Sequence, residues 1–287
     1  MSRCPRGCSA VSVRIVFADM DDTFLHTDKT LVDENMAMLD RLAEEGIEFV
    51  PCTGRSLFAT PEAVRRHPSV HHSVSVNGSS VYRTADLVRV HGITVGKERA
   101  LALYGRMADL RIDFDVFADG RIFTERWRWD LIDHLGIPEY HRAFMKRSRT
   151  PVDLTVPQIV ERVGVVERIG VYWTDGDQGS ATAASVQAAV AADPTLHGTT
   201  SMRMGMEILD RHTSKGEALA WLCEGLGIPR ECSVAFGDSP NDVEMICAAG
   251  DGVAMGNAYP EVKAVANHVT ATNDEAGFAR YLESVFG

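Results

Sequence analysis

An apolar, largely β-branched run from Val11 to Phe17 ends abruptly in Asp19-Met20-Asp21-Asp22, and no other feature restricts the possible folds of this chain as strongly. The run reads as a buried strand. Three carboxylates inside four positions repel one another unless a positive charge is held among them. In open α/β sheets, ligands bind beyond the carboxyl ends of the strands, so an acidic strand tip is where a cation and an anionic substrate would meet. Asp19 and Asp21 would face opposite sides of a regular strand, and they serve one centre only if the chain is already curling into a loop. Aspartates after a strand are also ordinary turn and cap residues. The reading therefore depends on what the other strand tips carry.

Those tips carry complementary groups. Asp33 can cap a helix with Met36, Leu39 and Leu42 on one face, closing at Gly46. The strand Ile47 to Val50 then runs into Pro51-Cys52-Thr53-Gly54-Arg55-Ser56, which offers a hydroxyl, a pliant turn and a guanidinium, all anion-binding groups. A helix from Pro61, a strand from Ser73 to Val76 and a turn at Asn77-Gly78 continue the βα alternation of a parallel sheet. From about Thr84 the pattern changes. Helical stretches at Lys97 to Leu110 and Thr182 to Ala192 mix with strand candidates at Ile169 to Trp173 and Ser201 to Ile208, as in an inserted α+β unit. Inside it, Arg121, Arg126, Arg128, Arg142, Lys146, Arg147 and Arg149 make a local basic excess, either a receiver for a second anionic group or a solvated helix face.

The alternation resumes near Glu207. Thr213-Ser214-Lys215-Gly216 opens a helix through Leu219, Leu222 and Leu226, placing a lysine at the helix start against the usual charge preference there. A strand from Ser233 to Phe236 delivers Gly237-Asp238-Ser239-Pro240-Asn241-Asp242, a second acidic tip in which Asn241 can cap the next helix.

The bulk properties narrow the partners. The chain has 287 residues, 45% hydrophobic and 24% charged, enough for one large domain or two moderate ones. A net charge of -11 argues against nucleic acid, which needs a concentrated basic face. No segment approaches the roughly 18 apolar residues of a membrane helix. Arg3 and Arg6 imitate the start of a secretion signal, but Arg14 interrupts the apolar run, so a soluble cytoplasmic protein with no membrane partner is expected. The 6 cysteines have neither metal-site spacing nor the density of a disulfide scaffold.

Taken together, Asp19-x-Asp21-x-Thr23, Thr53-Gly54-Arg55, Lys215-Gly216 and Gly237-Asp238-x-x-Asn241-Asp242 resemble, in order, the four motifs of the haloacid dehalogenase superfamily, in particular its Cof-type (class IIB) phosphatases. Asn77-Gly78, the stretch Gly252 to Ala258, and Thr272-Asn273-Asp274-Glu275-x-Gly277 agree as well. The resemblance implies an α/β fold: a doubly wound parallel-sheet (Rossmann-like) core at 11–83 and 207–287, an inserted α+β C2-type cap at 84–206, and a mobile tail at 1–10. It implies a Mg2+-dependent phosphatase of small phosphorylated metabolites, sugar phosphates foremost, working through an aspartyl-phosphate.

The resemblance also implies roles for particular residues. Asp19 would be the nucleophile and Asp21 the general acid and base. Asp19, Asp238 and the main-chain carbonyl of Asp21 would hold Mg2+. Thr53, Gly54, Arg55, Lys215 and Asn241 would bind phosphate and substrate, with Asp242 in support. An ordinary carboxylate is ionised at pH 7, so the site is expected to raise the pKa of Asp21 while Mg2+ and Lys215 keep Asp19 ionised. Asp22 stands where the family usually has Gly, in a backbone conformation that Asp tolerates better than most residues. A phosphosugar mutase sharing the aspartyl-phosphate step, and a phospho-receiver, are the alternatives left open.

Overall fold

The computed structural model describes residues 12–177, 179–199 and 204–287. The expected tail, Val11, and Ser201, Met202 and Arg203 of an expected strand lie outside them. Along the chain, β1 (Ile15–Ala18), β2 (Glu48–Pro51) and β3 (His72–Ser75) are followed by β4 (Ser80–Arg83) and β5 (Val88–His91). The inserted region contributes β6 (Ile112–Ala118), β7 (Arg121–Glu125), β8 (Thr150–Val152), β9 (Val166–Trp173), β10 (Leu196–Thr199) and β11 (Gly205–Asp210). The chain then closes with β12 (Ser233–Gly237), β13 (Asp251–Ala254) and β14 (His268–Val269).

Five strands form a parallel sheet in the order β14-β13-β12-β1-β2. Every residue of β1 is buried, and the two-residue period of the strand divides them between two cores. Val16 and Ala18 join Leu39, Leu42 and Phe278 on one side, under the helices Asp33–Glu44 and Gly277–Phe286. Ile15 and Phe17 join Leu219, Leu222 and Cys223 on the other, under the helix Lys215–Leu226. The sheet is thus covered on both faces, as a doubly wound fold requires. The first of these helices begins at Asp33 itself, with Val32 as cap residue, so Asp33 is not the cap that the sequence suggests.

The strand expected at Ser73 to Val76 runs parallel beside the end of β2, through the bridge Cys52–Val74 and the Thr53 N–H donated to the Val74 carbonyl at 3.0 Å. β3 also opens an antiparallel meander, β3-β4-β5. Val76 and Asn77 leave the strand at φ 54 and 57, a left-handed pair that turns the chain back. Both expected boundaries of the insertion also cut paired segments. The one at 83/84 divides the β4–β5 hairpin, and the one at 206/207 falls within β11, which pairs with β9 and β10.

The inserted sheet has the order β10-β11-β9-β6-β7-β8. Strand alternation gives it two unlike faces. Ile112, Phe114, Val116, Val171, Trp173 and Ile208 pack into a core under the helices Lys97–Met107, Val156–Arg162 and Ala181–Ala191. The intervening residues Asp113, Asp115, Phe117, Arg168, Tyr172 and Glu207 take the opposite face. Asp119 and Gly120, both at positive φ (51 and 75), make the two-residue β6–β7 turn. That tip rests on the parallel domain: the Phe58 N–H donates to the Gly120 carbonyl at 3.3 Å, and a Cβ at Gly120 would lie 3.2 Å from the Leu57 side chain.

Candidate active site

Parallel pairing of β1 with β12 sets their acidic tips side by side, with the Asp19 N–H donating to the Phe236 carbonyl at 3.0 Å. Lys215, wholly buried in the first turn of its helix, donates from Nζ to Asp19 Oδ1 at 2.8 Å and Asp242 Oδ1 at 2.6 Å. The other Asp242 oxygen accepts the N–H groups of Asp238 and Ser239, each at 3.0 Å. Asp238 in turn accepts the hydroxyls of Thr23 at 2.9 Å and Ser239 at 2.8 Å. Two glycines allow this density. A Cβ at Gly237 would lie 2.4 Å from that of Asp242, and one at Gly216 would lie 2.7 Å from the Glu244 carbonyl carbon. Ser239 and Asp242 form the capping box of the turn, so Asn241 is not its cap.

Oxygens of Asp19, Asp238 and Asp242 lie within 4.8 Å of one another. Asp242 completes this side-chain cluster in place of Asp21, yet both its oxygens are already engaged, by Lys215 and by two main-chain donors. The second oxygen of Asp19 accepts no hydrogen bond among the described residues, and Asp238 meets only hydroxyls. An all-oxygen set with one lysine among three carboxylates fits a hard divalent cation, with Asp19 and Asp238 as the donors available to it. Burial, reinforced by Asp242, Asp238 and Asp21, outweighs Lys215 and holds the Asp19 carboxyl well above its ordinary pKa. Burial and Asp242 push Asp238 up to about 6. Burial disfavours the Lys215 charge, but Asp19 and Asp242 outweigh it and keep the ammonium protonated.

Asp21 departs from expectation. Its side chain turns away from the cluster into the Arg55 guanidinium, with Nε on one oxygen at 2.8 Å and Nη2 on the other at 2.7 Å, and Lys29 stands 3.6 Å away. Burial raises its pKa, but Arg55, Lys29 and Lys215 together overcome that and leave it below the ordinary value. Asp21 is therefore not raised as expected, because the guanidinium fork belongs to it, while the Asp19 direction is that of burial, the carboxylates and Lys215 alone, without the cation expected to hold Asp19 ionised. Asp22 occupies the left-handed conformation anticipated for the usual glycine, φ 60 and ψ 13, and its carboxylate pairs with Lys29 at 2.7 Å.

Thr53 is buried and accepts the Arg55 N–H at 3.1 Å, while its carbonyl takes the Asn77 N–H. Asn77 links three parts of the chain: its Oδ1 accepts from Asn241 at 3.0 Å, its Nδ2 donates to Glu207 at 3.0 Å, and a Cβ at Gly54 would touch it at 3.0 Å. These groups surround a cavity of about 540 Å³ between the strand tips and the inserted sheet. Its far wall includes Phe117, Arg168, Tyr172 and Glu207. Arg168 is ion-paired with Glu207 and lies 3.8 Å over the Phe117 ring. Sequence reasoning missed this wall, although the apolar-polar alternation of Ile112 to Phe117 and of Met206 to Ile208 carries its signal.

The comparisons agree with this geometry. The curated phosphatase YwpJ of Bacillus subtilis is 28% identical over 285 residues, covering 94% of this chain and 99% of its own. From the same organism, 5-amino-6-(5-phospho-D-ribitylamino)uracil phosphatase YitU is 27% identical, covering 95% and 97%. A haloacid dehalogenase-like hydrolase from Bacteroides thetaiotaomicron superposes with a TM-score of 0.78 over 96% of this chain and 100% of its own, at 23% identity, and so shares the fold. The sequence model of the haloacid dehalogenase-like hydrolases matches residues 16–282, and the chain belongs to that family.

Proposed function

We propose that the protein is a phosphatase of small phosphorylated metabolites, with Mg2+ as its metal and sugar or polyol phosphates as its foremost substrates. The observation that carries this reading is the buried Lys215 ammonium joining Asp19 to Asp242 beside Asp238, at the tips of two adjacent parallel strands. In this reading Asp19 attacks phosphorus through its carboxylate oxygen, the new O–P bond forms, and the bond from phosphorus to the leaving oxygen breaks. Asp21 gives its proton to the leaving alkoxide. A water then attacks the aspartyl-phosphate, Asp21 takes the water's proton, and the O–P bond to Asp19 breaks to release inorganic phosphate.

Thr53 and Lys215 hold phosphoryl oxygens, stabilising the charge that spreads over them in the transition state. Mg2+ held by Asp19, Asp238 and, as the family resemblance implies, the Asp21 carbonyl supplies the positive charge that offsets carboxylate–phosphate repulsion. Asp242 positions Lys215, and Asn241, Gly54 and Arg55 complete the phosphate side. For Asp21 to carry a proton, Arg55 must first transfer part of its fork to the incoming phosphate. The leaving group then faces Asn77, Phe117, Arg168, Tyr172 and Glu207, a wall of aromatic faces and polar groups suited to hydroxyls. The phosphoribityl substrate in the name of YitU is of that kind. A cytoplasmic setting fits such metabolites, and among the described residues no helix is long and apolar enough to cross a membrane.

The test is inorganic phosphate release from a panel of phosphorylated sugars, nucleotides and cofactors, with Mg2+ or chelator, by the wild-type protein and Asp19→Asn. Turnover by the wild type alone, and only with metal, is expected. Isomerised product without phosphate release would replace this reading with a mutase.

A further inference from the structure

A second cavity, of about 410 Å³, opens beside the first, between the segment that follows β2 and the inserted domain. Arg55, Ser56, Ala59, Phe144, Ser148 and Arg149 line both, so the two adjoin. The annex differs from the first cavity in its charge. Arg55, Arg121, Arg147 and Arg149 line it against one carboxylate, Glu62, which is already paired with Arg66 at 3.0 Å. Arg55 and Arg149 are bound to Asp21 and Asp115. Arg121 and Arg147 have no carboxylate partner among the described residues. They are held instead over aromatic rings, Arg121 over Phe58 at 4.3 Å and Arg147 over Phe144 at 5.9 Å.

This is not a general property of the basic run. Arg126, Arg128, Arg142 and Lys146 each have an acidic partner, in Asp153, Glu125, Glu139 and Asp133. Among the described residues of this run, Arg121 and Arg147, the two without an acidic partner, both face the annex. An independent feature points the same way. Thr60 lines the annex, is 2% exposed, and its hydroxyl has no hydrogen-bond partner. A buried unpartnered hydroxyl costs free energy unless an external group satisfies it.

We propose that the annex binds a second phosphate, carried by the substrate at the end remote from the phosphoryl group being removed, with Arg121, Arg147 and Thr60 as its receivers. The inference rests on the phosphatase reading and narrows it to metabolites bearing two phosphates. The scissile phosphate sits at Asp19, the carbon skeleton crosses the shared lining, and the distal phosphate meets two exposed guanidinia that carry no carboxylate of their own.

The experiment compares a hexose bisphosphate with the corresponding hexose monophosphate as substrates of the full-length protein with Mg2+. The proteins compared are wild type, Arg121→Gln/Arg147→Gln and Thr60→Val. Wild type should favour the bisphosphate by about tenfold or more in kcat/KM. The double variant should lose that preference through a KM about tenfold higher, with kcat and the monophosphate constants within about twofold. Thr60→Val should raise the bisphosphate KM alone, by about threefold. No preference in wild type, or an equal loss on both substrates, overturns the proposal. So does competition by inorganic phosphate that the double variant abolishes while the bisphosphate preference survives, which marks a free-anion site. If wild type hydrolyses neither these sugars nor p-nitrophenyl phosphate, the phosphatase reading itself has failed. Calorimetric binding of the bisphosphate then decides the annex: weaker binding by the double variant supports it, and unchanged binding overturns it.

Discussion

The Arg55 guanidinium closes on both oxygens of Asp21, at 2.7 and 2.8 Å, and so ties the expected general acid to the expected phosphate binder. Arg55→Ala removes the largest of the three cations that depress Asp21, so the pKa of Asp21 rises. In the proposed mechanism Asp21 must be protonated to serve the leaving alkoxide, so activity should fall as pH rises through its pKa. Raising that pKa moves the descending limb of the kcat/KM profile to higher pH. Arg55→Ala should also lose about 10–100-fold in kcat/KM, and Arg55→Lys should recover little of it, because an ammonium cannot bridge two oxygens. A pH profile that stays in place separates Arg55 from Asp21.

Lys215→Met leaves Asp19 and Asp242 buried without their cation. Denaturant titration should show a loss of about 3–5 kcal/mol at neutral pH, since removing one partner of a buried ionic network leaves an uncompensated charge. Phosphate release should vanish. Unchanged stability would mean that the network contributes nothing to the fold.

Asn77 is at φ 57 and joins Asn241 to Glu207. Asn77→Gly keeps the backbone but loses both side-chain bonds, about 1 kcal/mol each. Asn77→Ala should be worse by a further 1–2 kcal/mol or so, because its Cβ disfavours the left-handed region. Equal melting temperatures for the two variants would show that the conformation imposes no strain.

Asp22→Gly should fold normally, since glycine adopts φ 60 without cost, and should leave metal dependence unchanged because the lost carboxylate was bound to Lys29. Asp22→Val should lose about 1–2 kcal/mol at the same position. Metal titrations of phosphate release, with thermal melts, check both.

Asp113 and Asp115 lie buried on the polar face of the inserted sheet beside Arg149, each with one oxygen unpartnered. Burial raises Asp113 well above its ordinary value, and the Asp115 charge adds to this. A carboxyl with a raised folded pKa binds its proton more tightly folded than unfolded. Its contribution to stability is therefore lost as pH rises from the ordinary carboxylate value through the raised one, and the full penalty applies above that. Asp113→Asn should stabilise the protein by about 1–3 kcal/mol near pH 8 and by less near pH 5. Melting curves at the two pH values decide the sign.

What the sequence determined by itself was local and additive. The buried β1, the acidic tips at Asp19 and Asp238, Lys215 in the first turn of its helix and the inserted α+β unit were legible because strand alternation, helix periodicity and turn chemistry act over a few residues. The need of Asp22 for a left-handed backbone was legible for the same reason. Three other features were decided by tertiary structure alone. Arg55 is 34 residues from Asp21, Glu207 is 130 from Asn77, and Thr60 and Arg121 face one cavity from different domains. A side chain's partner, and hence its charge state, depends on which elements pack together and in what register. Spacing along a chain does not encode that. The same limit applies at the strand tips: the pairing of Lys215 with Asp19 was expected from the family resemblance, but only the packed structure gives both oxygens of Asp21 to Arg55.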